Sequence, residues 1–158
     1  MKRLHVHVAV PDLEQSIRFY STLFNAKPTK IESDYAKWML DDPRVNFAIS
    51  QHESHAPGVD HVGIQVDSRS ELDELSTRLK TAGETTFDQE ATSCCYAKSD
   101  KSWVNDPSGV RWETFYTFGD ATTYGEDIEA PQAAACGTSC GTPEPKPQTE
   151  KASASCCG

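Results

Sequence analysis

Apolar and polar residues alternate through "RLHVHVAV" (residues 3–10), a period of two that predicts a strand with one buried face. The period then lengthens. Leu13, Ile17, Tyr20 and Phe24 recur at helical spacing, with Asp12 where an N-cap belongs. Three short strand-like runs follow, near 27–32, 35–41 and 45–51. The same succession then begins again at His61. "HVGIQV" predicts a strand. Leu72, Leu75, Leu79 and Ala82 predict a helix that starts in the capping-box pattern of Ser68 and Glu71 and stops at Gly83. Runs near 85–90, 94–104 and 110–117 predict three further strands. The chain reads as an α+β fold of two βαβββ modules, about 1–55 and 56–120, within one domain of residues 1–120.

Residues 121–158 break the pattern. They are rich in Ala, Pro, Gly, Thr and Ser and hold almost no large apolar side chain, so burial cannot offset the entropy of ordering them. A disordered tail carrying Cys136, Cys140, Cys156 and Cys157 is expected.

Charge and cysteine content narrow the surroundings. A formal net charge of -9 disfavours nucleic acid and anionic membrane surfaces as partners. No apolar run approaches the roughly 20 residues of a membrane helix. "MKRLHVHVAVPDLEQS" reaches Pro11 and Asp12 before any signal-peptide core forms, so a cytoplasmic location is expected. In that setting the six cysteines read as reduced thiols suited to metals, metalloids or redox chemistry.

Overlaying the modules aligns His5 with His61, 56 residues apart, at the start of each first strand. Further on, Asp42-Pro43 aligns with Asp106-Pro107, and Ala48 with Glu113. A carboxylate beside Trp112 and Phe115 is costly to bury unless it is paired or coordinated. His5, His61 and Glu113 are therefore the expected metal ligands and catalytic centre. Two imidazoles and one carboxylate on one face of an octahedral ion suit non-haem Fe(II), one per chain, with positions left for dioxygen as co-substrate. Ala48 supplies no fourth ligand. His7 shares a strand face with His5 and is either a second-layer residue orienting a ligand or substrate, or a hydrogen-bonded core histidine.

The segments "HVHVAVPDLEQSIRFYSTLF", "GVDHVGIQVD" and "DPSGVRWETF" together resemble the vicinal oxygen chelate superfamily, which includes glyoxalase I, fosfomycin-resistance proteins and extradiol dioxygenases. The resemblance implies paired βαβββ modules curled into an open barrel around one divalent metal, with His5, His61 and Glu113 at the family's metal positions.

The module offset grows from 56 to 65 between the histidines and Glu113, so about nine extra residues fall near "ATSCCYAKSDKSW". This region is expected to form a substrate loop. Its adjacent thiols, Cys94 and Cys95, are soft donors that together complete a trivalent arsenic bearing one organic group. "CCYA", "DKSW" and "DPSGVRWE" resemble the organoarsenical carbon–arsenic lyases, a family that also includes cadmium-induced proteins. That resemblance implies Fe(II)- and O₂-dependent cleavage of trivalent organoarsenicals, methyl or aromatic, to arsenite, with Cys94 and Cys95 binding the substrate. Tyr96 and Lys101 flank the loop and either shape the pocket or serve packing. Two alternatives stay open: a non-catalytic arsenite- or cadmium-binding thiol protein, and a glyoxalase-like isomerase. Monomer and homodimer are equally compatible with two modules in one chain.

Overall fold

The two helices form where capping and periodicity agree. In the computed structural model, which describes residues 1–52, 56–122 and 124–125, Asp12 keeps extended backbone and its carboxylate accepts the Gln15 N–H at 2.8 Å. This starts α1 (Leu13–Phe24), and Asn25 ends it in the left-handed conformation at φ 48°. Ser68 caps α2 (Arg69–Thr81) by accepting from Glu71 N, while the Glu71 carboxylate reaches back to Asp67 N. Gly83, at φ 89°, lets the chain turn away.

Around these helices run β1 (Arg3–Ala9), β2 (Lys30–Ile31), β3 (Tyr35–Asp41), β4 (Arg44–Ser50), β5 (Gly58–Val66), β6 (Phe87–Cys94), β7 (Ala97–Asn105) and β8 (Arg111–Asp120). They form one eight-stranded sheet, ordered β2-β3-β4-β1-β5-β8-β7-β6, that curls into an open half-barrel. The order is symmetric about the antiparallel β1–β5 pair. In each half the first strand lies parallel to the last, β1 with β4 and β5 with β8. The register carries the sequence overlay into space. His7 pairs with Ala48, and Gly63 with Glu113, so Ala48 and Glu113 hold equivalent places.

The halves are packed unequally. Trp38, Ile49, Ala36 and Phe47 form the main core with Tyr20 and Phe24 of α1. In the second half Leu72 is buried, Leu75 and Leu79 are half-buried and Ala82 is exposed, which narrows the expected stripe.

Several boundaries differ from expectation. The first run contracts to the two residues of β2, and the run at 85–90 begins two residues later and continues to Cys94. The run at 94–104 divides: Cys94 closes β6, Cys95 and Tyr96 make a two-residue turn, and β7 begins at Ala97. Both turn residues have positive φ, 53° and 60°, the pattern of a tight hairpin turn whose twist matches its strands. The extra residues of the second module therefore lengthen the β6–β7 hairpin and do not form a separate substrate loop. The tail cysteines Cys136, Cys140, Cys156 and Cys157 lie outside the described residues.

Candidate active site

His5 and His61 reach the centre from β1 and β5, the two strands on the pseudo-twofold axis, and Glu113 reaches it from β8. All three are buried. His5 Nε2 lies 3.2 Å from His61 Nε2 and 3.6 Å from Glu113 Oε2, while His61 Nε2 is 3.5 Å from the same oxygen. Three donors each about 2.1 Å from one ion would be separated by about 3.0–3.4 Å, so the observed triangle fits a shared cation with small adjustment.

The outward faces of the imidazoles agree with that fit. His5 Nδ1–H donates to the Asn46 carbonyl at 2.9 Å, and His61 Nδ1–H donates to Asp60 Oδ2 at 2.6 Å. Each bond fixes the tautomer that leaves an Nε2 lone pair facing the centre. Two such lone pairs 3.2 Å apart repel unless a proton or metal ion lies between them. Without a metal that charge is a proton. Burial would lower His61, but its bonds to Asp60 and Glu113 override this and hold it at about 9. Burial takes His5 down to about 4.

Glu113 divides its two oxygens. Oε1 is held by Lys101 Nζ at 2.7 Å, and Oε2 faces the imidazoles. Burial favours the protonated acid, yet Lys101 and then His61 keep the carboxyl well below its usual range. Lys101 is thus a buried partner of the centre and not a flanking packing residue. It occupies on β7 the place that Tyr35 holds on β3, since Tyr35 pairs with Ser50 and Lys101 with the equivalent Phe115.

His7 belongs to the next layer. Its ring stands 4.8 Å from that of His61, and its Nε2 bonds Ser50 Oγ at 2.9 Å. Its Nδ1 is buried without a hydrogen bond, 3.9 Å from Asp60 Oδ2. Asp60 was not singled out by the module overlay, because the overlay compares like positions and Asp60 has Leu4 as its counterpart. Its signal was local: a carboxylate directly before a candidate ligand histidine.

The thiols line the same cavity as two of the three candidate ligands. His5, Glu113, Tyr35, Lys101, Cys94 and Cys95 all contribute to its wall, and its free volume is about 40 Å³. Cys94 and Cys95 form no disulfide, and their sulfurs are 3.1 Å apart. The tight turn holds this spacing in place. Tyr96 reaches across to the first module. Its hydroxyl donates to Asp34 at 2.6 Å, a bond that raises it to about 12, and its carbonyl accepts from Lys30. It secures the turn by joining it to the first module.

The model of the glyoxalase/bleomycin resistance protein/dioxygenase superfamily matches residues 2–114. The chain belongs to this superfamily. Among its relatives, a trivalent organoarsenical cleaving enzyme of Bacillus sp. strain MD1 is 45% identical over 119 residues, 74% of either chain. The cadmium-induced protein CadI of Mycobacterium bovis is 36% identical over 79% of this chain and 82% of its own. Solved structures at lower identity share the superfamily fold. Methylmalonyl-CoA epimerase of Mycobacterium tuberculosis has a TM-score of 0.54 at 18% identity, covering 71% of this chain and 85% of its own. Homoprotocatechuate 2,3-dioxygenase of Brevibacterium fuscum gives 0.56 at 15% identity, covering 77% and 38%. Among the described residues no helix is long and apolar enough to cross a membrane.

Proposed function

We propose that this member of the superfamily is an Fe(II)- and O₂-dependent lyase that cleaves the carbon–arsenic bond of trivalent organoarsenicals. The observation that carries the reading is one cavity lined by a vicinal thiol pair and by His5 and Glu113, two members of a two-histidine, one-carboxylate donor set that His61 completes from behind the wall. The donor set suits an ion that keeps open coordination positions, and the thiols suit arsenic. The relatives named as organoarsenical cleaving enzymes support the same reaction.

His5, His61 and Glu113 would hold the iron, which when bound supplies the redox chemistry with dioxygen. Asn46 and Asp60 orient the two imidazoles. Lys101 occupies one Glu113 oxygen, so that the carboxylate offers the other alone. Cys94 and Cys95 chelate arsenic through sulfurs 3.1 Å apart and keep the organic group inside the cavity. Holding the bond to be broken beside the centre replaces a chance encounter with a fixed orientation. For a methyl substrate the overall change is CH₃As(OH)₂ + O₂ → As(OH)₃ + HCHO.

The test is anaerobic incubation of the Fe(II)-loaded protein with methylarsenite, followed by admission of air. Arsenite and formaldehyde should rise together only after air enters. Cys95→Ser should lose arsenical binding and turnover while keeping its metal. Stoichiometric arsenical binding without either product would support the sequestering protein instead.

A further inference from the structure

Beyond β8 the chain turns back over the thiol turn. Ala121 N donates to the Tyr96 carbonyl at 3.0 Å, and Cys95 N donates to the Tyr124 carbonyl at 2.5 Å. Gly125 presses against β6. A Cβ there would overlap the Ser93 carbonyl and stand 3.2 Å from Cys94 Cα, and its φ of 81° disfavours any other residue. The backbone on both sides of Tyr124 is therefore anchored to the residues that carry the sulfurs.

This anchoring sets the Tyr124 ring directly behind the Cys95 side of the thiol pocket, whose lining includes Tyr35 and Ala48. It packs with Cys95 against buried Tyr35, Ala48 and Tyr96. Its centroid lies 6.1 Å from Tyr35, 5.9 Å from Tyr96 and 4.3 Å from His52. The hydroxyl oxygen is buried beside Ser50 and the Cys95 thiol, and neither meets it in good hydrogen-bond geometry. A buried donor in poor geometry forgoes part of the about 1–3 kcal/mol that an unmade bond costs, and a ligand acceptor beside the Cys95 sulfur would supply it.

We propose that Tyr124 is a substrate-binding residue, whose ring walls the organic group of the arsenical and whose hydroxyl meets the oxygen that arsenic loses to the thiols. The proposal rests on the function given above. In each exchange, RAs(OH)₂ plus a cysteine thiol gives an As–S bond and water. The thiol proton goes to the departing hydroxide, and the As–O bond breaks. Tyr124 donates a hydrogen bond to that leaving oxygen and is not consumed. The second exchange, on the remaining As–OH, closes the dithiolate across Cys94 and Cys95.

The experiment measures arsenical capture in the full-length chain without metal or oxygen, with Cys136, Cys140, Cys156 and Cys157 replaced by Ser so that only the pocket thiols report. Methylarsenite and phenylarsine oxide are the probes, and loss of titratable thiol is the readout. Tyr124→Phe keeps the wall and removes the donor. It should slow methylarsenite capture about two- to tenfold, the range of one hydrogen bond. In the iron-loaded enzyme it should raise KM and leave kcat within about twofold of the parent. Tyr124→Ala and Gly125→Ala should each slow capture further and speed modification of Cys94 and Cys95 by a bulky disulfide reagent, because the wall is gone or displaced. Capture by Tyr124→Phe at the parental rate would overturn the hydroxyl's role. Unchanged thiol accessibility in both alanine variants would overturn the wall. Because this assay needs neither iron nor oxygen, slowed capture without turnover would refute the lyase and leave Tyr124 as a binding residue. A parent that captures no arsenical would refute both.

Discussion

Gly63→Ala adds one methyl group, yet it should disable the centre. Gly63 pairs with Glu113 across the β5–β8 ladder, and the strands approach so closely there that a Cβ would overlap the Glu113 carbonyl oxygen. It would also lie 3.0 Å from the Glu113 carbonyl carbon and 3.2 Å from its Cβ, inside the ~3.5–4.0 Å at which carbon atoms rest. Neither partner is the end of a flexible side chain, so β8 must retreat by on the order of 1 Å. That retreat carries Oε2 away from imidazoles now 3.5 and 3.6 Å distant, enough to take it out of reach of a shared ion. Overpacking of this kind costs about 1–3 kcal/mol, less than the about 5–15 kcal/mol that keeps a domain folded. The variant should fold with a lowered denaturant midpoint and lose at least tenfold in affinity for Fe(II) or a Co(II) substitute, followed by anaerobic titration. Gly119→Ala is the control, since its Cβ would meet only Lys98 at an ordinary 3.7 Å. Wild-type metal affinity in Gly63→Ala would show that Glu113 is not a ligand or that β8 yields freely, and either result refutes the reasoning.

Other outcomes follow from the same geometry. Lys101→Met leaves buried Glu113 Oε1 without its cation and should destabilise the metal-free protein by about 3–5 kcal/mol. A bound divalent ion should recover part of that loss in denaturant melts with and without metal. Asp106 accepts from Ser108 N and Val110 N, and these backbone bonds, with Val110 first, lower its carboxyl. Its contribution to stability should be present above the usual carboxylate pKa and vanish as pH falls through the depressed folded value. Asp106→Asn should therefore be less stable than the parent at pH 7, with the gap closing in acid melts. His61→Gln should weaken metal binding more than His7→Gln, because only His61 aims Nε2 at the donor triangle. Side-by-side metal titrations give the comparison.

Much of this was legible in the chain because it depends on period and duplication. A strand's period of two and a helix's stripe are properties of neighbouring residues, so both modules, the caps at Asp12 and Ser68, and the correspondence of His5 with His61 could be read directly. So could the equivalence of Ala48 and Glu113, since duplicated modules keep like positions alike. What lay between unlike positions could not. Lys101 meets Glu113 only because β7 pairs with β8 in one register, and no sequence period encodes that register. The module overlay assigns the thiols to a loop because it counts surplus residues without saying whether they extend strands or bulge away. Backbone conformation at Cys95 and Tyr96 made the region a tight turn. Tyr35 and Tyr124 reach the sulfurs from distant parts of the chain, drawn there by packing between elements. Local order thus came from short-range patterns, whereas the pocket came from long-range contacts that exist only after the sheet has closed.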